Sequence, residues 1–407
     1  MGFEPNTNVD EGIGEFVECY RDYLGCRQMR VLHIINDLGS GGAEKLIEET
    51  LPPLNKTKGI KADVLLLTDS ENVFDEKLKD SGVNAGIVPI RNLYNPLNLY
   101  HIRKYIIEGE YDIVHAHLFP TFYWVSIASK FIFKNKPKFV MTEHSTHNRR
   151  RKRDYLRYLE KFIYSSYDKI ISISQQTQDN LVKWLKPSET QLDRFIVIEN
   201  GINIDRFKNA KPYNKVDICN TFTEDIRLVC MVARFSEQKD QPTLIKAIKE
   251  LPENVHLLLI GEGTLKQKNE NLAKEIGVSD KVHFLGFRND VERILKTVDI
   301  VVLSSNWEGF GLAAAEGMAA GKPVIASKVE GLREIVDGYG LLFNKGDSGE
   351  LSKLLNKLLN DHYLYKHISA RCFDRAEDFS IDGTIQSIAL LYENLLESIQ
   401  PRKMDTQ

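Results

Sequence analysis

Residues 299–327 read DIVVLSSNWEGFGLAAAEGMAAGKPVIAS. An apolar run at each end encloses an alanine-rich segment, which predicts a helix from about Leu312 to Ala320. Gly321 supplies a helix C-cap, and Pro323 follows it. A helix of this length between two apolar strands predicts a βαβ unit, in which the two strands run parallel.

The same alternation of short apolar runs and longer helical segments extends along most of the chain. The runs are rich in Val and Ile and do not alternate with polar residues, which is typical of strands buried on both faces. They lie at residues 31–35, 63–68, 86–90, 112–116, 138–143, 169–173, 195–199, 227–233, 255–260, 281–285, 299–304, 323–327 and 340–343. A polar, turn-rich segment at residues 200–225 separates the first seven runs from the last six. We therefore predict an α/β protein with two Rossmann-like, doubly wound domains that face each other across a cleft.

Domain boundaries follow from these patterns. We assign residues 1–28 to an N-terminal extension, 29–205 to the first domain and 206–380 to the second domain. Residues 381–407 are assigned to a C-terminal helix, because Leu and Ile recur periodically there.

Composition restricts the class of protein. Lys and Arg number 54 and Asp and Glu 57, so the net charge of −3 gives no sign of a nucleic-acid partner. The five cysteines form no C-x-x-C pair and are too sparse for a disulfide framework. The longest apolar-looking run, residues 122–133, is shorter than the roughly 20 residues that span a membrane. We therefore expect a cytoplasmic protein that at most binds the inner face of a membrane.

The loop and helix within residues 299–327 carry the strongest functional signal. The N–H groups at the start of the helix, from Phe310 to Ala313, form a natural phosphate site. Glu316, one turn into the helix, is placed to accept hydrogen bonds from ribose hydroxyls, and Glu308 is placed for hydroxyls at the other end of a ligand. Two acids beside a phosphate site suit a sugar nucleotide. The alternative is that Glu316 is a solvated helix residue.

A glycine-rich loop, NDLGSGGAEKL at residues 36–46, follows the first predicted strand. Gly41 and Gly42 allow the backbone to approach a ligand, and the helix N-terminus that follows favours an anion. A dinucleotide fingerprint requires glycine at position 44, where this chain has Glu44, so an NAD-dependent oxidoreductase is disfavoured. The loop alone also fits a plain strand-to-helix turn.

Two further motifs follow predicted strands. In MVARFSEQKD, Arg234 and Lys239 are spaced to hold a departing diphosphate, although surface Arg and Lys are common. In IVHAHLFPT, we expect the rings of His115 and His117 to point to opposite faces of the sheet, with His117 toward the cleft. A histidine in the core or on the surface is the alternative.

A basic stretch, NRRRKRDYLRYLEK at residues 148–161, has seven basic and two acidic residues. We expect it to form one amphipathic helix whose apolar side packs on the sheet. Its basic face would comprise Arg150, Arg153, Arg157 and Lys161. This face is either solvated or meets anionic lipid headgroups or a lipid-diphosphate acceptor. In the second case, His144 and Arg149 would line the entrance.

Taken together, these motifs resemble those of the retaining glycosyltransferases of family four, which have the GT-B fold. The resemblance spans roughly residues 29–399 and rests on E-x7-E at Glu308 and Glu316 and on R-x4-K at Arg234 and Lys239. The segments GGAE, HAH and NGINIDRF support it. It implies that the first domain binds the acceptor, that the second binds the nucleotide sugar, and that the C-terminal helix crosses back to the first domain.

The resemblance also implies a role for each motif. Glu316 would hold the donor ribose and Glu308 the donor hexose, while Arg234 and Lys239 would stabilise the departing diphosphate and His117 would line the reaction centre. The other donor-binding residues would be Gly41, Gly42, Phe287, Arg288, Phe310, Gly311 and Leu312. The acceptor or membrane side would comprise Glu44, His144, Arg149, Arg150, Arg153 and Arg157.

The implied reaction transfers a hexose from a nucleotide-diphosphate sugar to a hydroxyl of a glycan or lipid-linked acceptor, with retention of configuration, in polysaccharide or glycolipid assembly. A UDP-sugar is favoured over a GDP-sugar. Such enzymes usually need no bound metal or other cofactor, in agreement with the lack of a D-x-D motif. Two alternatives stay open: a GT-B sugar-nucleotide epimerase, which needs no acceptor, and a catalytically idle sugar-nucleotide-binding scaffold. The presence of both acids and both basic residues speaks against the scaffold.

Overall fold

The computed structural model describes residues 28–70, 72–146 and 148–397, apart from the side chains of Arg149 and Lys152. Except for Gln28, the predicted N-terminal extension lies outside the described residues, and so does the tail beyond Glu397. The described residues form two α/β domains, each built on one parallel sheet.

The first domain contains a seven-stranded sheet. Its strands are β1 (Met29–Ile35), β2 (Ile60–Leu66), β3 (Ala85–Ile87), β4 (Ile113–His117), β5 (Lys138–Glu143), β6 (Lys169–Ser172) and β7 (Phe195–Val197). Its helices are α1 (Gly42–Lys56), α2 (Asp75–Asp80), α3 (Asn98–Glu108), α4 (Thr121–Ser129), α5 (Leu156–Tyr164) and α6 (Gln175–Leu185). The strand order is β3-β2-β1-β4-β5-β6-β7. From β1 the chain adds strands first on one side of the sheet and then, from β4, on the other. Doubly wound sheets bind ligands at this switch between the two sides.

The second domain contains a six-stranded sheet. Its strands are β8 (Arg227–Val232), β9 (Val255–Ile260), β10 (Val282–Gly286), β11 (Ile300–Leu303), β12 (Val324–Ser327) and β13 (Leu341–Phe343), in the order β10-β9-β8-β11-β12-β13. Its helices and the linker helices are α7 (Ile204–Lys208), α8 (Lys215–Ile218), α9 (Gln241–Lys249), α10 (Lys266–Glu275), α11 (Val291–Thr297), α12 (Leu312–Ala319), α13 (Leu332–Val336), α14 (Ser348–Asn360) and α15 (His362–Ala376). The same switch lies between two central strands, β8 and β11, so the two domains share one architecture.

The predicted architecture is confirmed, because each predicted apolar run overlaps one strand. The helix predicted within residues 299–327 is α12, and Gly321 follows its end with a φ of 76°. Within the described residues, no helix combines the length and apolar character needed to cross a bilayer.

The last helix, α16 (Ile381–Glu397), packs on the first domain although it follows the second in sequence. Its buried side joins the core formed by β1, β2 and α1. The chain passes from the first domain to the second at residues 200–203 and returns at residues 379–381, and these two segments lie side by side. The N–H of Ile202 donates to the carbonyl of Phe379 at 2.8 Å, and the N–H of Ile381 donates to the carbonyl of Ile202 at 2.9 Å. We call this pairing of residues 200–203 with 379–381 the crossing.

Gly201 lies in the crossing, where a larger residue does not fit. A Cβ atom there would be 2.4 Å from Cα and 2.7 Å from the backbone nitrogen of Ile381. We predict that Gly201→Ala lowers the free energy of unfolding by about 1–3 kcal/mol, the usual cost of overpacking. Urea unfolding measures this change.

Gly383→Ala, in α16, is the matched control. A Cβ at Gly383 meets nothing within 4 Å. Alanine in a helix is favoured over glycine by roughly 0.5–1 kcal/mol, so this variant should be no less stable than wild type. Equal stability of the two variants would contradict the predicted close approach at the crossing.

Candidate active site

A cavity of about 1240 Å³ lies between the two domains and is lined by loops from both. The loops that follow β1, β5, β8, β10 and β11 all reach it, as expected for parallel sheets, which bind ligands beyond the carboxyl ends of their strands. Most residues that the sequence assigned to the site line this cavity: Gly41, Gly42, Glu44, His144, Arg234, Lys239, Phe287, Arg288, Glu308, Phe310, Gly311, Leu312 and Glu316. The fold therefore brings them together, while their individual roles stay predictions.

Helix α12 begins at the wall of this cavity because of Gly311. This residue has a φ of 98°, in the left-handed region, and a Cβ on it would be 2.6 Å from Cδ2 of Leu332. Phe310 is buried beside it and packs edge-to-face on Phe379, with 5.4 Å between ring centroids. The first turn of α12, which carries the positive end of the helix dipole, thus borders the cavity.

Glu316 on α12 forms an ion pair with Lys45 on α1, across the domain interface. The side chain of Glu316 is only 3% exposed. Burial alone would lower the pKa of Lys45, but the carboxylates of Glu316 and Glu49 outweigh it and raise the pKa, so Lys45 is charged. Sequence reasoning missed Lys45. Its place directly after GGAE was the available signal, but its partner lies 271 residues away.

Three side chains of the second domain bind Glu308. Lys239 forms an ion pair with its Oε1, Ser305 Oγ donates to the same oxygen at 2.7 Å, and Gln238 Nε2 donates to Oε2 at 3.3 Å. Lys239 and Glu308, which the sequence assigned to different parts of the donor, are therefore in contact. Ser305 and Gln238 were not predicted, because uncharged polar residues near a strand end form no distinctive pattern.

Arg206 joins the two domains at the rim of the cavity. Its Nη2 lies 2.8 Å from a carboxylate oxygen of Glu292 in the second domain, and its Nη1 lies 3.5 Å from Glu49 in the first. Burial raises the pKa of Glu49 to about 7, against the opposing effect of Lys45. Arg206 belongs to the NGINIDRF segment, so this motif has a structural role at the domain interface.

Two hydrogen bonds hold the loop around Glu308 against the first domain. Thr146 Oγ1 donates to the carbonyl of Glu308 at 2.6 Å, and Ser174 Oγ donates to the carbonyl of Gly309 at 3.1 Å. With the Lys45–Glu316 ion pair, they bring the two walls of the cleft into direct contact. A ligand between the domains must fit beside these contacts or replace them.

The prediction that His115 and His117 point to opposite faces is wrong. Their rings stack with centroids 4.3 Å apart, because side chains two residues apart on a strand lie on the same face. His117 is 3% exposed and is not among the described residues that line the cavity. Its Nδ1 is instead hydrogen-bonded to Nε2 of His144 at 3.1 Å. His144 therefore occupies the position in the cleft that the sequence assigned to His117.

His144 also lines a second, smaller cavity of about 310 Å³ beside the first. Phe119 contributes to both cavities, and Arg150 lines the second. The guanidinium of Arg150 lies 4.0 Å from the ring centroid of Phe119, and its Nε donates to the buried carboxylate of Glu160 at 3.1 Å. Aromatic faces with a few fixed polar groups are typical of small-molecule sites.

The basic stretch does not form one amphipathic helix, as the sequence predicted. A 3-10 turn spans Arg149–Lys152, and α5 begins only at Leu156. Arg150 and Arg153 therefore precede the helix and do not share a helical face with Arg157. The side chain of Arg149 lies outside the described residues, so its predicted place at the entrance stays untested.

The apolar side of α5 is only partly covered by the domain, which corrects the expectation that it packs on the sheet. Ile163 is buried, but Tyr158 is 78% exposed and Phe162 is 51% exposed. Lys130 Nζ lies 4.4 Å from the ring centroid of Phe162, and Phe133, three residues after Lys130, is 83% exposed. We call Lys130, Phe133, Tyr158 and Phe162 the aromatic patch.

Three buried histidines, His33, His115 and His117, bring ring nitrogens within 4.8 Å of one another, close enough to hold a metal ion. All six of their ring nitrogens already have hydrogen-bond partners, which are supplied within the group and by Thr142, His144 and Tyr392. A metal ion would have to displace these hydrogen bonds. The cluster therefore fits a hydrogen-bonded network better than a metal centre.

Known proteins with related sequences identify the class. Residues 40–206 match the family described as Glycosyltransferase Family 4, and residues 219–374 match Glycosyl transferases group 1. The uncharacterized glycosyltransferase MJ1178 of Methanocaldococcus jannaschii is 33% identical over 307 residues, which cover 74% of this chain and 80% of that protein. The UDP-Gal:alpha-D-GlcNAc-diphosphoundecaprenol alpha-1,3-galactosyltransferase of Escherichia coli is 27% identical over 359 residues, which cover 82% of this chain and 89% of that protein.

Solved structures agree on the fold. Anabaena Alr3699/HepE in complex with UDP and glucose superposes with a TM-score of 0.77 at 22% identity, covering 91% of this chain and 100% of that one. WaaG, a glycosyltransferase involved in lipopolysaccharide biosynthesis, gives a TM-score of 0.69 at 18% identity, covering 89% of this chain and 99% of that one. Two parallel-sheet domains around a cleft define a GT-B protein. The chain belongs to the GT-B glycosyltransferases and is similar to those of family 4.

Proposed function

We propose that this protein is a retaining hexosyltransferase that moves a hexose from a UDP-sugar to a hydroxyl of a glycan or lipid-linked acceptor in polysaccharide or glycolipid assembly. One observation carries the proposal. Glu308 and Glu316 lie before and after the start of α12 in one interdomain cavity, and each is paired with a lysine. A carboxylate accepts hydrogen bonds from sugar hydroxyls, and Lys239, once released from Glu308, binds a diphosphate.

In the proposed complex, the diphosphate lies at the start of α12, where the backbone of residues 310–312 and the helix dipole favour an anion. Arg234 and Lys239 add positive charge as the diphosphate departs. Glu316 accepts hydrogen bonds from the ribose, and the backbone of residues 287–288 contacts the base. Glu308 holds hydroxyls of the transferred hexose.

Two similar proteins support the choice of a UDP-sugar over a GDP-sugar. The Escherichia coli galactosyltransferase has UDP-Gal in its name, and the Anabaena structure contains UDP and glucose. The name of the first also gives a sugar linked to diphosphoundecaprenol as its acceptor, which supports a lipid-linked saccharide as the acceptor here.

The proposed chemistry relies on positive charge and not on an enzyme nucleophile. The acceptor hydroxyl attacks the anomeric carbon on the face from which the diphosphate leaves, and a phosphate oxygen takes the proton. The bond to the diphosphate breaks as the glycosidic bond forms, so configuration is retained. Arg234, Lys239 and the start of α12 stabilise the leaving group, and the loss of one such group typically costs about 10²–10³ in rate.

The acceptor is proposed to approach from the first domain. Gly41, Gly42 and Glu44 line the main cavity there, and Arg150 lines the second cavity beside it. His144 belongs to both cavities, so it is the residue best placed to hold a hydroxyl of the acceptor next to the attacking one, with His117 hydrogen-bonded behind it.

An anionic membrane surface is a proposed partner of the first domain. The aromatic patch combines exposed rings with a lysine, and such combinations bind at the level of lipid headgroups. Arg153 and Arg157 add positive charge nearby. This surface would keep the enzyme beside a lipid-linked acceptor.

UDP binding is the first test of the donor site. We predict that UDP raises the melting temperature, because a ligand at about 100 times its Kd adds about 2.7 kcal/mol to stability. Glu316→Ala should lose this shift, since it removes the oxygens that are proposed to accept hydrogen bonds from the ribose. The measurement is a thermal-shift comparison of UDP, GDP, ADP and NAD.

Lys45→Met is the matched control for this experiment. It removes the same ion pair from the other side but keeps the carboxylate of Glu316. We expect it to retain the UDP shift. Equal loss in both variants would mean that the ion pair, and not ribose binding, determines the shift, and a shift with NAD alone would contradict a sugar-nucleotide donor.

The anomeric configuration of the product tests the reaction. We predict that an α-linked UDP-hexose yields an α-linked product, because acceptor and leaving group occupy the same face of the sugar. Proton NMR of the product reads this configuration directly. A β-linked product would contradict retention. Free epimer and UDP formed without an acceptor would indicate an epimerase, and donor binding without turnover would indicate a scaffold.

Vesicle co-sedimentation tests the membrane surface. We predict that the double variant Phe133→Ser/Tyr158→Ser binds vesicles containing phosphatidylglycerol about tenfold more weakly than wild type, because two exposed rings no longer enter the headgroup region. Tyr363→Ser is the matched control, since Tyr363 is 82% exposed on the second domain. Equal binding by all three proteins would exclude the aromatic patch as the membrane contact.

A further inference from the structure

Four histidines form a continuous hydrogen-bonded series that runs from the C-terminal helix to the cleft. At one end, His115 Nε2 lies 2.7 Å from Thr142 Oγ1, and His115 Nδ1 lies 2.6 Å from the Tyr392 hydroxyl. The same hydroxyl lies 3.2 Å from His33 Nε2. Toward the cleft, His33 Nδ1 lies 3.0 Å from His117 Nε2, and His117 Nδ1 lies 3.1 Å from His144 Nε2. We call this series the histidine chain. Its members come from β1, β4, β5, the loop after β5, and α16.

Each ring in the histidine chain is neutral at physiological pH. Burial lowers the pKa of His33 to about 3 and that of His144 to about 4. Burial likewise places the pKa values of His115 and His117 well below the usual value. A neutral imidazole has one N–H and one bare nitrogen, so it donates one hydrogen bond and accepts the other. The direction of one hydrogen bond therefore determines the direction of the next.

The two hydrogen bonds of Tyr392 differ in length, and this difference indicates the direction. A hydroxyl that donates makes shorter hydrogen bonds than a ring N–H does. The 2.6 Å distance to His115 Nδ1 fits Tyr392 as the donor, and the 3.2 Å distance to His33 Nε2 fits a donating N–H of His33. His115 then carries its proton on Nε2 and donates to Thr142.

The same logic extends to the cleft. With its proton on Nε2, His33 accepts at Nδ1 from Nε2–H of His117. His117 in turn accepts at Nδ1 from Nε2–H of His144. This direction would place the proton of all four histidines on Nε2 and leave Nδ1 of His144, which lines both cavities, unprotonated.

We propose that Tyr392 is a positioning residue: through His33 and His117 it fixes the tautomer of His144, whose bare Nδ1 accepts a hydrogen bond from a sugar hydroxyl in the cleft. A bare nitrogen attracts a hydroxyl and repels the oxygens of a phosphate or carboxylate. The ligand group beside His144 is therefore a hydroxyl. The identity of that hydroxyl as part of the acceptor rests on the proposed function, whereas the tautomers are a property of the protein alone.

NMR of protein labelled with ¹⁵N-histidine reads the tautomers directly. At pH 7 we expect all four rings of the histidine chain to be protonated on Nε2. Tyr392→Phe removes the hydroxyl, so an N–H on Nε2 of His33 would be buried without an acceptor, which is costly. We therefore expect His33, His117 and His144 to shift to the Nδ1–H tautomer, while His115 keeps Nε2–H on Thr142.

The pair His256 and His283 is the internal control. It lies in the second domain, with Nδ1 of His256 2.9 Å from Nε2 of His283, and should not respond to Tyr392→Phe. Nδ1–H tautomers in the wild-type chain, or tautomers unchanged in Tyr392→Phe, would overturn the proposal. Metal-bound shifts at His33, His115 and His117 would overturn it as well.

Kinetics separate positioning from a purely structural role. We expect Tyr392→Phe to lower kcat by at least about tenfold, because a misplaced acceptor reacts more slowly, without a change in donor KM. Tyr167→Phe is the matched control, because it removes another buried hydroxyl of the first domain, one that donates to the carbonyl of Phe122. It should retain the wild-type kcat.

The possible failures are distinguishable. Equal loss of kcat in Tyr392→Phe and Tyr167→Phe, or a rise in donor KM alone, would contradict a positioning role. A wild-type chain with the expected tautomers but no transferase activity would overturn the proposed function and the role of the hydroxyl, while the tautomer assignment would stand.

Discussion

The carboxyl ends of the two parallel sheets face each other, and every candidate functional side chain depends on this arrangement. Strands of a parallel sheet end at one edge, so loops that are distant in sequence converge there. The crossing and α16 connect the two domains, and α16 completes the core of the first domain after the chain has formed the second. This shared helix is the reason that Tyr392 contacts His33 and His115 in the first sheet, close to the cleft.

Charge pairing in the cleft follows from the same geometry. Glu316 is paired with Lys45 of the other domain, and Glu308 with Lys239 of its own. Both acids are buried, and a buried carboxylate without a partner is costly. In the proposed complex, both acids exchange their lysine for sugar hydroxyls and Lys239 binds the diphosphate. Lys45 keeps the nearby carboxylate of Glu49, so this exchange of partners leaves no charge unpaired. Because Lys45 and Glu316 belong to different domains, this exchange would couple donor binding to the orientation of the domains.

The sequence predicts the fold well because buried parallel strands and the helices between them form local patterns, and each predicted run overlaps a strand. The two acids around α12 are predictable for the same reason. The errors concern features that partner elements determine. Lys45 and Tyr392 contact residues 271 and 277 positions away, and no local pattern records such pairs. Arg150 precedes α5, although the prediction placed it in a helix, and it binds the buried carboxylate of Glu160. The orientation of His115 and His117 was instead a wrong application of the two-residue period of a strand.

The pH dependence of stability indicates that the histidine chain does more than fill space in the core. His33 and His144 have pKa values of about 3 and about 4 in the folded protein, below the usual 6.5. As the pH falls below about 6.5, the unfolded chain therefore binds more protons than the folded one, and these histidines make the fold less stable; above that pH they have no such effect. Apolar side chains would fill the same space without this dependence. Packing alone thus does not account for three buried imidazoles that are hydrogen-bonded to a fourth at the cleft, whereas the proposed direction of hydrogen bonds from α16 to the cleft would.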